Sequence, residues 1–567
     1  MSTHEQGSRD KLGGEGVEAT TEAVESSDET RAASLDLPPE ELAELARAFS
    51  ELTLDYIGSP SALPVFPETS AARLDEIFCL PLPAEGCGLE RLERDCREVI
   101  RHSRQNGHPR MFGYVASPSA PVGALASLLA SALNVNVTSW RSAPAATAVE
   151  HTTVRWLAEM IGFTGAGLNE TCGGLLTSGG SMANLDALFV AHRAHSRDAA
   201  HHVSQDASSG IAQGASSRGS NDTSHGIAHD PSREGLWNTG TPATLYASDQ
   251  IHLSIPKAAD ILGLGRDHVR LVPSDERFRM DVRALRERIE ADLRGGLRPF
   301  CVAASAGTVS TGAVDPLREV ARIAREHKLW FHVDGAYGAL AASVAGKRAL
   351  FEGIEEADSV SLDPHKWLYA PLDCGCLLFR EPERARAAFA ETEAGYIKVF
   401  ERQEDEAFAF WDYGIELSRP FRALKVWTIL RYYGARRIAD SIAEDCALAE
   451  YLAERVGAAE DFELLAPVTL GICCFRYVPE GFRRALEEAK DDDERGRAGA
   501  RLDELNARVM QRVQRGGVAY VSNAILRGRF ALRASVTNFR TTRRDLRVAL
   551  DTVRRAAREA EKELERQ

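Results

Sequence analysis

At 567 residues the chain is too long for one ordinary hydrophobic core, so two or more packed units are expected. A hydrophobic share of 44% and a charged share of 27% are those of a globular protein, not a disordered one. The net charge of −15, with no basic cluster carrying interleaved aromatics, speaks against nucleic acid or an anionic membrane as partner.

The first 35 residues are rich in Gly, Ser, Thr and Glu, with almost no large apolar side chains, and read as a disordered tail. They also lack the apolar stretch of a secretory signal, and no later run is long and apolar enough to span a membrane, so a cytoplasmic location is expected. Order is expected to begin near Pro38-Pro39-Glu40-Glu41, where apolar residues take up helical spacing, and residues 36–110 read as an N-terminal helical segment. From 111 to 415 short apolar runs alternate with amphipathic helices. Strands are expected at Ala243 to Ala247, Pro299 to Ala304, Leu329 to Asp334, Ser359 to Leu362 and Gly375 to Phe379. Asp315-Pro316 is expected to open a helix with Asp as its N-cap. Alternation of this kind predicts an α/β unit with a mostly parallel, mixed sheet flanked by helices. A low-complexity stretch at 196–241 interrupts it and reads as a disordered surface insertion. Residues 416–567 read as a small α+β domain, entered through the long helix of PFRALKVWTILRYYG and closed by a helix capped at Thr542-Arg-Arg-Asp545.

Ten cysteines in a chain of this length are not a disulfide framework. Cys374-Gly-Cys376 and Cys473-Cys474 lack the second pair that a zinc site requires, and both lie in apolar, strand-like surroundings. The histidines at 201, 202, 225 and 229 fall in the low-complexity stretch and read as solvated. No metal is expected.

Three separated segments carry chemistry. Thr177-Ser-Gly-Gly-Ser-Met-Ala-Asn-Leu185 places two glycines and a serine at the entry of a helix, whose exposed N–H groups suit a phosphate, although such a turn is commonly only a cap. Leu329-Trp-Phe-His-Val-Asp-Gly-Ala-Tyr-Gly338 ends an apolar strand on an aspartate, at the carboxyl edge where open α/β sheets hold ligands. A carboxylate there suits a pyridinium N–H, and the bland alternative is a helix cap. Ser359-Val-Ser-Leu-Asp-Pro-His-Lys-Trp-Leu368 puts a lysine just beyond a buried strand, where a solvated role fits poorly and a covalent one fits well.

In this order the three segments resemble the pyridoxal-phosphate-dependent group II amino-acid decarboxylases, the family of aromatic-L-amino-acid, glutamate and diaminobutyrate decarboxylases. The similarity runs from about residue 38 to the C-terminus. It implies a fold-type I enzyme that binds pyridoxal 5'-phosphate, removes the α-carboxylate of an L-amino acid and works as a homodimer. Carried over to this sequence, it makes Lys366 the Schiff-base lysine and His365 a neighbour of the phosphate. It makes Asp334 the partner of the pyridine nitrogen, with Ala336 against one ring face and His252 against the other, approaching the reacting carboxylate. Gly179, Gly180 and Ser181 match the phosphate turn, and Thr308 a cofactor-contacting threonine.

Two positions depart from that pattern. Asp363 stands where the aromatic branch has Asn, close to the expected phosphate, and in this it resembles the related lyases that cleave sphingosine-type phosphates. The loop acid of the aromatic branch is expected at Tyr413, with Phe410 in the position matched by counting back from Phe421-Arg-Ala-Leu-Lys425. Loss of that acid would favour an aldehyde-forming oxidative decarboxylase. A non-catalytic cofactor-binding protein is the remaining alternative, against which Lys366, Asp334 and His252 all speak.

Overall fold

The computed structural model describes residues 35–163, 173–209, 241–390, 408–564 and 566; the expected tail, up to residue 34, lies outside them. The strands, in chain order, are β1 Met111–Phe112, β2 Gly174–Thr177, β3 Ala243–Ser248, β4 Val269–Val272, β5 Arg298–Ser305, β6 Trp330–Asp334, β7 Ser359–Leu362 and β8 Gly375–Phe379, followed by β9 Phe462–Leu464, β10 Ile472–Tyr477, β11 Tyr520–Leu526 and β12 Arg529–Ser535. Seven of them form one sheet in the order β2-β8-β7-β6-β5-β3-β4. The pairs β3–β4, β3–β5, β5–β6 and β6–β7 are parallel, while β8 runs antiparallel to both β7 and β2. All five strands expected from the apolar runs are present.

Both faces of this sheet are covered, which is why its strands are apolar throughout instead of alternating. Along β5, Val302 and Ala304 join a core with Val154 and Leu157 of the helix Pro144–Ile161. Cys301 and Ala303, on the opposite face, join Ala183, Ala187 and Leu188 of the helix Gly180–Ser209. A second sheet, β1-β11-β12-β10-β9, packs its apolar face on the helices Asp492–Arg515 and Arg543–Leu564 through Leu502, Leu505, Val509, Leu546 and Val553. Here β1, which precedes the large sheet in the chain, pairs in parallel with β11, Met111 opposite Tyr520. The two sheets are bridged by the helix Arg422–Gly457, which breaks at Gly434 (φ 77°, ψ 153°), a backbone conformation that only glycine adopts without strain. At its start Val426 and Ile429 belong to the core of the large sheet, and near its end Leu452 belongs to the core of the small one.

Some expectations are corrected here. The helix that begins at Gly180 continues to Ser209, so 196–209 is helical backbone instead of flexible insertion. The stretch SRDAAHHVSQDASS contains neither Gly nor Pro, and extending a helix already nucleated by 180–195 adds a backbone bond for each residue fixed. Residues 210–240 lie outside the described residues. Asp315 does not cap the helix Leu317–Glu326, whose N-cap is Pro316. Instead it is buried and accepts from Met280 N and Ser305 N, each at 2.7 Å. The closing helix does carry the expected cap, with Thr542 N–H donating to Asp545 Oδ2 at 3.0 Å.

Candidate active site

The carboxyl ends of β6 and β7, the start of the helix Gly180–Ser209 and the edge of the second sheet enclose a cavity of about 1090 Å³. Its wall includes Gly179, Gly180, Ser181, His252, Thr308, Asp334, Ala336, His365 and Lys366. Nine of the ten expected site residues therefore meet in one place.

Each arrives there for a local reason. Gly180 is the first residue of its helix, so the unpaired N–H groups of the first turn face the cavity end of the element. Its lack of a side chain is required: a Cβ would lie 2.8 Å from Ala336 Cβ and 3.0 Å from Asp363 Oδ2. Asp334 is the last residue of β6 and is almost fully buried. Asn184 Nδ2 donates to its Oδ2 at 3.0 Å, Ala336 N to its Oδ1 at 3.2 Å and Ser361 Oγ to Oδ1 at 3.4 Å. Donors on both oxygens fix the direction of the carboxylate.

Lys366 follows β7 by four residues, and its Nζ lies 2.9 Å from Asp363 Oδ2. Asp363 is buried, and its Oδ1 has no hydrogen-bond partner. His365 is turned by a 2.6 Å contact from Nδ1 to the Cys374 carbonyl, leaving Nε2 3.6 Å from Asp363 Oδ2. Burial pushes the His365 imidazole below its ordinary pKa, with the Asp363 charge opposing. Thr308 is buried and pairs with Thr311 at 3.1 Å.

Tyr413 is not brought to this cavity. It stacks on Phe408 with ring centroids 5.3 Å apart and belongs with Phe410 to the core beneath the large sheet. The segment is held there by Trp140 N to Phe408 O at 3.0 Å, Phe410 N to Thr138 O at 2.9 Å and Val137 N to Arg419 O at 2.8 Å. Arg419 itself is buried against Glu150, with its guanidinium 4.0 Å above the Phe410 ring. Three residues that motif reading left aside are part of the site's support: Asn184, Ser254 and His332.

This arrangement fits pyridoxal phosphate. A helix start kept clear of side chains offers the phosphate cradle, the Lys366 amine lines the same cavity, and the Asp334 carboxylate is aimed from a strand end. Comparison with known proteins decides the family. A model of the pyridoxal-dependent decarboxylase conserved domain matches residues 74–221 and 238–478. The chain belongs to the pyridoxal-dependent decarboxylase family. It is 32% identical over 514 residues to an aromatic-L-amino-acid decarboxylase of Bacillus atrophaeus, covering 90% of this chain and 95% of that protein. A phenylacetaldehyde synthase of Petunia hybrida is 27% identical over 510 residues, covering 89% and 92%. Among solved structures, mouse CSAD superposes with a TM-score of 0.79 at 26% identity, covering 92% of this chain and 99% of that one. Oryza sativa TDC with PLP and tryptamine superposes at 0.77 with 27% identity and the same coverage. The chain is thus a pyridoxal-phosphate-dependent amino-acid decarboxylase of fold type I.

Proposed function

We propose that this decarboxylase acts on an aromatic L-amino acid and releases the amine and CO₂, with Lys366 as the covalent anchor of the cofactor. The observation that carries the residue roles is the meeting of Lys366, Asp334, His252 and the Gly179–Ser181 turn in one cavity. The aromatic class rests on the printed activities of relatives that match nearly full length. When bound, pyridoxal phosphate supplies the electron sink for the bond that breaks.

The chain supplies orientation and charge. Lys366 Nζ, paired with Asp363 Oδ2 at 2.9 Å, is the amine that anchors the cofactor and later frees the product. The start of the helix at Gly180 holds the phosphate. Asp334 keeps a proton on the ring nitrogen, and Ala336 and His252 bound the ring. His365 and Thr308 line the phosphate side. His252 faces the carboxylate that leaves.

A homodimer is supported by the outer face of the helix Pro121–Leu133, where Leu125, Leu128, Leu129 and Leu133 are all exposed on a helix whose other side packs on the core. A cytoplasmic location is supported by nine free cysteines among the described residues, two of them at the surface. Among the described residues no helix is long and apolar enough to cross a membrane.

A second reading, oxidative decarboxylation to an aldehyde, is favoured by the position of Tyr413 and Phe410 away from the cavity and by the likeness to the phenylacetaldehyde synthase. The test is to incubate the pure protein and cofactor with each L-amino acid and record CO₂, amine, aldehyde and peroxide. Amine and CO₂ from an aromatic substrate are expected. Aldehyde with peroxide would establish the second reading, and turnover of acidic amino acids alone would overturn the aromatic class. Borohydride should fix the cofactor on Lys366, and Lys366→Ala should abolish that linkage while leaving the fold intact.

A further inference from the structure

A continuous line of buried polar groups runs beneath the cavity. Trp330 Nε1 lies 2.9 Å from Ser359 Oγ, which lies 2.9 Å from His332 Nδ1. His332 Nε2 lies 3.0 Å from Asn184 Oδ1. Asn184 Nδ2 reaches Asp334 Oδ2 at 3.0 Å and Ser254 Oγ at 2.9 Å, and Ser254 Oγ lies 2.8 Å from His252 Nδ1. The strands make this possible. Trp330, His332 and Asp334 alternate onto one face of β6, and the register sets His332 opposite Ser359 and Asp334 opposite Ser361.

The direction of every bond in this line follows from its two ends. An ionised carboxylate only accepts, so the nitrogen end of the Asn184 amide faces Asp334 and its oxygen faces His332. His332 must then carry its hydrogen on Nε2 and accept at Nδ1. Its neutrality agrees with burial, which holds the imidazole down at about 4 against the charge of Asp334. The indole of Trp330 only donates, so Ser359 accepts from it and gives its own hydrogen to His332 Nδ1. Asn184 has two amide hydrogens, one for Asp334 and one for Ser254 Oγ. Ser254 accepts there, and its hydroxyl hydrogen is free for His252 Nδ1. The Ser254 backbone N–H approaches the same nitrogen at 3.2 Å. With donors converging on Nδ1, the ring hydrogen of His252 belongs on Nε2, the nitrogen left to the cavity that His252 lines.

We infer that this directed chain holds His252 as the Nε2–H tautomer, presenting a donor to the substrate carboxylate, and that Asn184 and Ser254 are the positioning residues. Asn184 thereby sets two groups at once: the carboxylate assigned to the ring nitrogen and, through Ser254, the histidine of the same cavity wall. The functional half of the inference rests on the role proposed above for His252; the tautomer does not.

The test uses the full chain with ¹⁵N-labelled histidine, with and without pyridoxal phosphate, by solid-state NMR; the His252 signals are those lost in His252→Gln. A protonated Nε2 and a bare Nδ1 are expected in the unmodified protein. Ser254→Ala removes one of the donors to Nδ1 and should shift the tautomer ratio about ten-fold, one ordinary hydrogen bond. kcat should fall only in proportion to the fraction of His252 that leaves the Nε2–H form, with KM unchanged. Asn184→Leu should shift it further, and His332→Gln, which keeps a donor and an acceptor end, should restore what His332→Leu loses. A hydrogen on Nδ1 in the unmodified protein, or a ratio unmoved by both Ser254→Ala and Asn184→Leu, would overturn the inference. The expected tautomer in a protein that turns over no amino acid would overturn the role of His252 and leave the chain of bonds standing.

Discussion

Gly180→Ala tests the cradle directly. The first turn of a helix tolerates alanine better than glycine, so the substitution on its own favours the element. The cost arises across the cavity. The new Cβ would stand 2.8 Å from Ala336 Cβ, about 1 Å inside ordinary carbon–carbon contact, with Asp363 Oδ2 at 3.0 Å on another side. Ala336 cannot simply retreat, because its N–H is bonded to Asp334 Oδ1 at 3.2 Å, and any shift carries Asp334 with it. Overpacking of this kind costs about 1–3 kcal/mol, which weakens cofactor binding about 5- to 140-fold if it falls on the bound state. Titration of apo-protein with pyridoxal phosphate, followed by tryptophan fluorescence, measures the loss. Gly180→Ala with Ala336→Gly exchanges the methyl group across the gap and should recover most of it. Affinity within two-fold of the unmodified protein in Gly180→Ala, or a double variant weaker than the single one, would refute the reasoning.

Arg419→Met leaves Glu150 buried without its cation and should destabilise the fold by about 3–5 kcal/mol in urea unfolding, while Glu150→Gln with Arg419→Met should lose less than Arg419→Met alone. Burial, with the Glu416 charge adding, raises the Asp186 carboxyl from 3.8 to about 8. The folded state then holds a proton that the unfolded state releases, so this group's contribution is full below pH 3.8 and is lost as pH rises through about 8. Asp186→Asn should flatten that slope in melting temperature against pH, and an unchanged slope would remove Asp186 as its source. Tyr413→Phe should leave the ratio of amine to aldehyde unchanged, since its ring packs on Phe408 and not on the cavity. Between residues 391 and 413 the other tyrosine is Tyr396, and Tyr396→Phe should raise the aldehyde share if a phenol of this segment returns the proton.

The site was legible in sequence wherever chemistry and backbone coincide in a few consecutive residues. Asp334 and Lys366 each stand at or just past the end of an apolar run, and a parallel sheet brings such ends to one edge. Asn184 and Ser254 carried no such mark, because an amide in a helix and a serine at a helix start are ordinary surface residues until the fold buries them. A signal did exist in Trp330-x-His332-x-Asp334 and Ser359-x-Ser361: polar groups repeating with period two inside otherwise apolar strands, a pattern tolerable only if the groups satisfy one another. Counting back from the helix lands on Phe410, with Tyr413 three residues on, and spacing of that kind says nothing about which anchors hold Tyr413. Three backbone bonds and the Arg419–Glu150 pair decide its position, and each of them joins residues far apart in the chain.

The helix Gly180–Ser209 makes these separate facts one. Its first residue clears the phosphate cradle, its fifth, Asn184, orients Asp334 and Ser254, and its seventh, Asp186, is buried beside Gly414, where the segment from Phe408 packs on Leu175 of β2. A rigid helix transmits a displacement of one of these groups to the other two, since successive turns cannot move independently without losing backbone bonds. Loosening the anchor at Arg419 should therefore be felt as weaker cofactor binding as well as lower stability. The same fluorescence titration reads it. Arg419→Met with full affinity for pyridoxal phosphate would show that the anchor and the cradle are held separately, and that the helix only happens to carry both.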